Sequence, residues 1–446
     1  MSALYVNIDR GRGIRALGPR ERIVALADGG RVTSLDSARP SPYLARFGVQ
    51  AHADDGVATA RIEVGGKSVL VAAQDESFLR GSVGTNHGDA LRSLFASAAR
   101  ERPAAVLLLA ASGGVRLHEA NAAELSLARA LRALLDGRAA GIVVLAVAVG
   151  DVFGGASILA CAATRTAMLP NARLGLSGPK VIESVHGKWE LDSDRPAEVE
   201  SVFGASARGA IDRIADNADA IRGWIGMAIA NAVPFADQVT TMQRVLAIPF
   251  PSNLPASPFR SVLPNARPDD PDGWLWRDRK VLATRPALSA SFGPAFAHGL
   301  DDALLAKVPS GAPDGDRETI VVVEDSAGHE VSRAAEMRFI SRYLAHHAAV
   351  LALARSRGHR LVGLLAGVGH SAAFFVNALQ APELYALPNA RVVAMEPSAI
   401  ARVTGVDTTK LIDDDPLLGQ PVRHLEALGG VSAIVEADEF LRRIGA

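Results

Sequence analysis

Apolar runs long enough to be buried strands occur in two matching series along this chain. In the first, Val106 to Ala111 runs into Ser112-Gly113-Gly114, and Ile142 to Val149 runs into Gly150-Asp151-Val152-Phe153-Gly154-Gly155. In the second, Ile320 to Val323 precedes Ser326-Ala327-Gly328, and Leu361 to Ala366 precedes Val368-Gly369-His370-Ser371-Ala372-Ala373. Each series then reaches Leu-Pro-Asn-Ala-Arg, at Leu169–Arg173 and Leu387–Arg391. The matching points lie 214, about 218 and 218 residues apart. Offsets that steady predict two copies of one α/β domain. The pentapeptide recurs at Leu263–Arg267 without the strands, so its context carries the repeat, not the five residues.

Between these runs the pattern predicts further elements. Alternation in 58–64 and 67–72 around Gly65-Gly66 reads as a β-hairpin. Gly81 to Gly88 reads as a binding loop, Asp89 to Ala99 as a helix, and His118 to Leu135 as a long helix with Leu125, Leu127, Ala128, Leu131 and Leu134 near helical spacing. Ala156 to Ala163 opens as a helix after the second glycine turn, residues 180–202 read as a polar loop, and Ala205 to Ala230 as a helix pair. Proline is dense from Pro249 to Pro271, which ends regular structure. Short strands and a helix near Leu300–Leu305 follow, and the second core begins at Thr319. The reading is α/β with mainly parallel strands and crossover helices, divided as 1–248, a Pro-rich linker 249–271, and 272–446.

Composition narrows the function. The 446 residues are 49% apolar and 21% charged, enough for large cores, and the net charge of −1 disfavours nucleic acid as a partner. The longest apolar stretch, Ala139 to Gly150, is well short of the roughly 20 residues of a membrane span. The opening Met1-Ser2-Ala3-Leu4-Tyr5 lacks a basic segment followed by an apolar one, which predicts no secretory leader and a cytoplasmic location. A single cysteine, Cys161, excludes an internal disulfide and a thiolate metal cluster, and its apolar surroundings predict an inert buried thiol. The chemistry therefore rests on the glycine turns. At the end of a buried strand such a turn exposes backbone N–H groups without side-chain obstruction. Two converging turns can hold one oxyanion between two donors, which suits an enolate.

The residues around the turns resemble a known family. Ser112-Gly113-Gly114-Val115-Arg116-Leu117-His118-Glu119-Ala120-Asn121 is similar to the Ser-Gly-Gly segment of acyl-CoA carboxyltransferases, in the form found in the β subunit of biotin-independent malonate decarboxylase. Phe153-Gly154-Gly155 and Leu174 to Glu183 resemble two further segments of that subunit. In the second half, His370 to Phe374, Ala378 to Ala381, Ala394-Met395 and Ala401 to Thr404 resemble the γ subunit. The chain thus looks like a β–γ fusion. The resemblance implies two tandem crotonase-like (ClpP/crotonase spiral) domains, as in carboxyltransferase N and C domains. It implies decarboxylation of a malonyl thioester to the acetyl thioester and CO2. The thioester would ride on the phosphopantetheine-type arm of an acyl carrier protein, or on CoA, with no tightly bound cofactor and no metal. The partners implied are that carrier protein and its acyltransferase, with further homo-oligomerisation left open.

The expected catalytic groups are Gly113, Gly114, Gly154 and Gly155 as the first oxyanion turn, and Ser371, Ala372 and Ala373 as the second. His118 and His370 flank the turns as proton donors to the enolate carbon. Arg116, Ser177, Gly178 and Lys180 are the expected substrate-binding residues. Three segments depart from the family pattern: His118 stands for a glutamine, Ser371-Ala372-Ala373 for Ser-Gly-Gly or Ser-Gly-Ala, and Glu396 for a small residue. A Gly→Ala change keeps the N–H but tolerates positive φ poorly. Two rival readings follow, a biotin-dependent carboxyltransferase and a non-catalytic partner that docks a carrier protein.

Overall fold

The computed structural model describes residues 13–35, 39–249, 265–288, 291–308, 317–407 and 415–445. Most of the Pro-rich stretch, 250–264, lies outside the described residues. The chain divides into two compact units. Unit 1 comprises Met1–Arg116, Arg129–Phe235 and Val331–Arg342, and unit 2 comprises Leu117–Ala128, Ala236–Glu330 and Tyr343–Ala446.

Unit 1 is built on a sheet of eight described strands: β1 Val32–Ser34, β2 Val57–Val64, β3 Lys67–Gln74, β4 Ala105–Ser112, β5 Val144–Val152, β6 Arg165–Met168, β7 Arg173–Leu174 and β8 Asp212–Arg213. Its order is β1-β2-β3-β4-β5-β6-β8, with β7 beside the end of β5. The first three strands are antiparallel and the rest parallel. The Gly65-Gly66 hairpin forms as expected, with Val64 opposite Lys67 and φ of 57° and 71° at the two glycines. These values suit a type I′ turn, which matches the twist of the strands. Asp28 fastens it by accepting both glycine amides, at 3.1 and 2.8 Å. Every residue of β4 is buried, as a parallel strand covered on both faces requires.

Past the main sheet the chain steps onto a second tier. β4 bulges between Ala110 and Ser112, Val83 bridges Val115, and Asp151-Val152 pair with Arg173-Leu174. Strand, second-tier strand and helix then repeat as a spiral, the crotonase-type arrangement.

Unit 2 repeats the plan with β9 Arg267–Pro268, β10 Leu275–Asp278, β11 Val281–Thr284, β12 Thr319–Glu324, β13 Arg360–Leu365, β14 Val368–His370, β15 Glu383–Ala386, β16 Arg391–Val393 and β17 Ala433–Ile434. An antiparallel β9-β10-β11 portion leads into parallel β11-β12-β13-β15-β17, and β14 pairs with β16 in the second tier. The registers fix the correspondence between copies. Val106 pairs with Val144 and Ile320 with Leu361, so β4 maps to β12 and β5 to β13.

Three local expectations are corrected, and one element is added. Thr85 to Gly88 is not loop but the first turn of a helix, Thr85–Glu101, and His87 is fully buried. Residues 180–202 form two helices, Pro179–His186 and Pro196–Phe203, each with proline at its first position; there the missing N–H costs nothing. Only Ala218–Ala230 of the expected 205–230 pair is helical, started by Asn217, whose side chain accepts from the Ala220 amide. A helix at Phe235–Val245 lacked an expectation altogether.

Candidate active site

The two glycine turns of unit 1 meet backbone to backbone. Gly114 has φ 95° and Gly154 φ 60°. A Cβ on Gly154 would lie 3.0 Å from the Gly114 Cα, and one on Gly114 3.1 Å from the Gly154 Cα. Neither position accepts a methyl group without moving the other strand's backbone.

The hydrogen bonds decide which amides face a ligand. Gly113 donates to the Arg80 carbonyl at 2.8 Å, Gly114 to Ser112 Oγ at 3.2 Å, and Gly154 to the Leu176 carbonyl at 2.9 Å. Three of the four expected glycine amides thus hold the turn together. The Val83 bridge takes the Gly114 carbonyl and the Arg116 amide, leaving the Val115 amide on the opposite side of the strand. The Val115 nitrogen lies 3.9 Å from where a Gly154 Cβ would stand, and Gly155 is the first residue of the helix Gly155–Cys161. Val115 and Gly155 are the donors this geometry offers. Sequence reading missed Val115 because it has a side chain, whereas the donor is its backbone.

The second copy carries the same turn with different residues. Gly328 has φ 95°, as Gly114 does, and its carbonyl accepts from Phe292 at 2.8 Å as the Gly114 carbonyl accepts from Val83. Ser371, with φ 50°, stands where Gly154 stands. Ala372 begins to wind as helix beside it. The substitution at Ala372 therefore carries no positive-φ strain, which falls on Ser371 instead. His370 replaces Phe153, and its ring lies over Gly328, 3.0 Å from a Cβ built there. The His370 Nε2 is 3.6 Å from Glu396 Oε1. Burial lowers the pKa of His370, with Glu396 pulling the other way. Burial and the neighbouring His370 push His329, beside the same turn, down to about 4.

The remaining expected residues scatter. The Arg116 guanidinium is buried and bound to Asp55 Oδ1 at 2.5 Å, to the Asp55 and Ser82 carbonyls, and lies over the Phe78 ring. It holds unit 1 together rather than facing ligand as expected. Ser177 is buried, its amide donating to Glu336 Oε1 at 2.6 Å, Gly178 caps the helix Pro179–His186, and Lys180 is exposed. His118 is buried and belongs to unit 2. Sequence reading also missed the Glu336–Arg208 pair of unit 1, at 3.3 Å, which anchors the Leu176 and Ser177 amides. Burial pushes the Cys161 thiol up to about 12, so it stays protonated. Among the described residues there is no acid, histidine and cysteine group fit for a metal and no helix long and apolar enough to cross a membrane.

Buried acids set a pH dependence. Burial pushes Glu124 up to about 8, and Glu324 and Glu336 to about 7. A raised carboxyl means the folded chain holds protons that the unfolded chain releases, so stability falls as pH rises towards these values. Burial lowers the pKa of His347, but Asp301, Asn377 and Glu324 together raise it above the ordinary value, so it acts in the same direction. The depressed His87 and His329 act oppositely only below the ordinary histidine value of roughly 6.5. Between about pH 6.5 and 8 the chain should therefore lose on the order of 3 kcal/mol of stability. Urea melts across that window check it, and Glu124→Gln should flatten the fall.

With this geometry in place, comparison identifies the family. Residues 12–269 match the carboxyl transferase domain, more than half of the chain, and residues 295–441 match the malonate decarboxylase gamma subunit. The chain belongs to the carboxyl transferase family. It is 31% identical over 248 residues to the malonyl-S-ACP:biotin-protein carboxyltransferase of Malonomonas rubra, covering 51% of this chain and 77% of that one. It is 30% identical over 233 residues to the acetyl-coenzyme A carboxylase carboxyl transferase subunit beta of Leuconostoc citreum (strain KM20), covering 50% and 78%. A Pseudomonas malonate decarboxylase hetero-tetramer solved in complex with malonate is 33% identical, covering 55% of this chain and 94% of the matched one, with a TM-score of 0.49.

Proposed function

We propose that this chain decarboxylates a malonyl thioester borne on the phosphopantetheine-type arm of an acyl carrier protein. The observation that carries this reading is the Gly114–Gly154 contact, which leaves the Val115 and Gly155 amides as two donors at one turn. The bond between the α-carbon and the carboxylate breaks, and CO2 departs. Its electron pair becomes the carbon–carbon double bond of an enolate, and the thioester oxygen takes the negative charge. Two fixed N–H donors stabilise that charge more than the ground-state carbonyl, which lowers the barrier. The α-carbon then takes a proton and the acetyl thioester leaves. The gamma-subunit match of the second half and the malonyl-carrier relative support this substrate class. That relative's name also favours a second reading, in which the carboxyl group passes to biotin on another protein.

Intact-mass spectrometry separates them. Malonyl-loaded carrier protein incubated with the purified chain, without biotin, should lose the mass of one CO2 well above the blank rate. Loss only when a biotin-carrying protein is added would establish carboxyl transfer. No loss under either condition would leave the chain a docking partner without chemistry.

A further inference from the structure

The two copies clamp their turns with the same serine but anchor that serine differently. In unit 1 the Gly114 amide donates to Ser112 Oγ, and the Ser112 hydroxyl donates to the Gly81 carbonyl at 2.7 Å. In unit 2 the Gly328 amide reaches Ser326 Oγ at 3.4 Å, and the Ser326 hydroxyl donates to Glu324 Oε1 at 2.6 Å. A fixed carbonyl is thus replaced by a fully buried carboxylate.

Behind Glu324 stands a polar chain that unit 1 lacks. Asn377 Nδ2 donates to Glu324 Oε2 at 2.7 Å and to the Val323 carbonyl at 3.2 Å. Asn377 Oδ1 therefore accepts from His347 Nε2, at 3.1 Å, and His347 Nδ1 bonds to Asp301 Oδ1 at 2.6 Å. With both ring nitrogens donating, His347 is an imidazolium. Strand register places Ala110 and Ala160 where Glu324 and Asn377 stand. Counting back from the left-handed glycines that follow the helices Ala120–Ala139 and Ile340–Ser356, Gly141 and Gly358, places Ala130 where His347 stands. Three alanines of one copy are a buried relay in the other.

We propose that Glu324 is the positioning residue of the second-copy turn, acting through the Ser326 hydroxyl, and that its charge governs how firmly that turn is held. The proposal rests on the decarboxylase reading only in assigning the turn to the reaction. When Glu324 is ionised, Ser326 donates to it and offers its oxygen to the Gly328 amide. When Glu324 is protonated, Asn377 still donates to Oε2, so the proton sits on Oε1 and points at Ser326. The serine oxygen then accepts from two groups and its own hydrogen loses its partner, which loosens the hold on Gly328. Asp325 faces Glu324 with like charge, Glu124 stays largely protonated near it, and His347, paired with Asp301, faces it with opposite charge. Burial dominates and brings the carboxyl to about 7.

The test uses the full chain labelled with 15N-glycine, the Gly328 amide resonance being assigned by its loss in Gly328→Ala. In the wild type that resonance should titrate with a midpoint near 7. The titration should vanish in Glu324→Gln, whose amide oxygen takes the Asn377 bond and whose NH2 faces Ser326 as the protonated acid does, and in Ser326→Ala, which cuts the link. Turnover of malonyl carrier protein should rise through the same midpoint in the wild type and be independent of pH in Glu324→Gln, with KM within about twofold. A Gly328 resonance that does not titrate, or that titrates unchanged in both variants, overturns the proposal. A coupled titration without turnover upholds Glu324's hold on the turn and sinks the decarboxylase reading instead.

Discussion

Gly154→Ala is expected to lower kcat for the malonyl thioester by about 10²–10³-fold while the chain stays folded, the loss typical of a spoiled oxyanion donor. Two effects act together. Gly154 sits at φ 60° and ψ −147°, a region nearly closed to residues with a Cβ, at a cost of roughly 1–3 kcal/mol. The new methyl would also meet the Gly114 Cα at 3.0 Å, and a backbone atom in a buried turn cannot swing aside. The turns must separate, and the Val115 and Gly155 amides separate with them. Gly226→Ala, in a helix with nothing within 4 Å of the new methyl, is the control and should keep wild-type activity. A folded Gly154→Ala protein with wild-type kcat would end the two-amide assignment.

The second large effect concerns stability. Asp55→Asn or Arg116→Met should each destabilise unit 1 by about 3–5 kcal/mol, because each leaves a buried charge without its counter-charge. Asp55 and Arg116 are 0% and 1% exposed as side chains, and Asp55 Oδ2 also accepts the His87 amide at 2.9 Å. The double variant should lose less than the sum of the two singles. Urea unfolding of the four proteins measures this. If Arg116→Met instead raised KM at unchanged stability, the guanidinium would be a ligand group after all.

Arg116 shows where the sequence is silent. A cation four residues past a serine turn reads equally well as a substrate clamp or a core ion pair, and only Asp55, 61 positions earlier, decides. The strands were legible because burial on both faces writes continuous apolar runs, as in β4 and β5. The hairpin was legible because Gly65-Gly66 has few other uses between alternating segments. Helices opened by Pro179 and Pro196 were not, since proline also ends helices and their flanks are polar. The segment 205–217, read as the first helix of a pair, folds as a short strand and turns. In the site, sequence located both turns but misassigned their parts. It credited four glycines with donating amides, three of which brace the turn, and it did not foresee that Ser371 is the left-handed residue of the second. Glu324, at the end of an apolar strand, drew no expectation from the sequence. Its burial depends on Asn377 and His347 arriving from distant parts of the chain.

The Gly114–Gly154 contact also bears on how such a duplicated protein can change over generations. In unit 1 two backbones touch, so drift at either position is closed and the turn is inherited as a fixed pair. In unit 2 the corresponding place already holds a serine with its side chain, and His370 covers Gly328. The second copy is thus the half whose turn already carries side chains. Laboratory selection for other acyl groups would do best to leave 113–115 and 153–155 untouched and diversify 370–373.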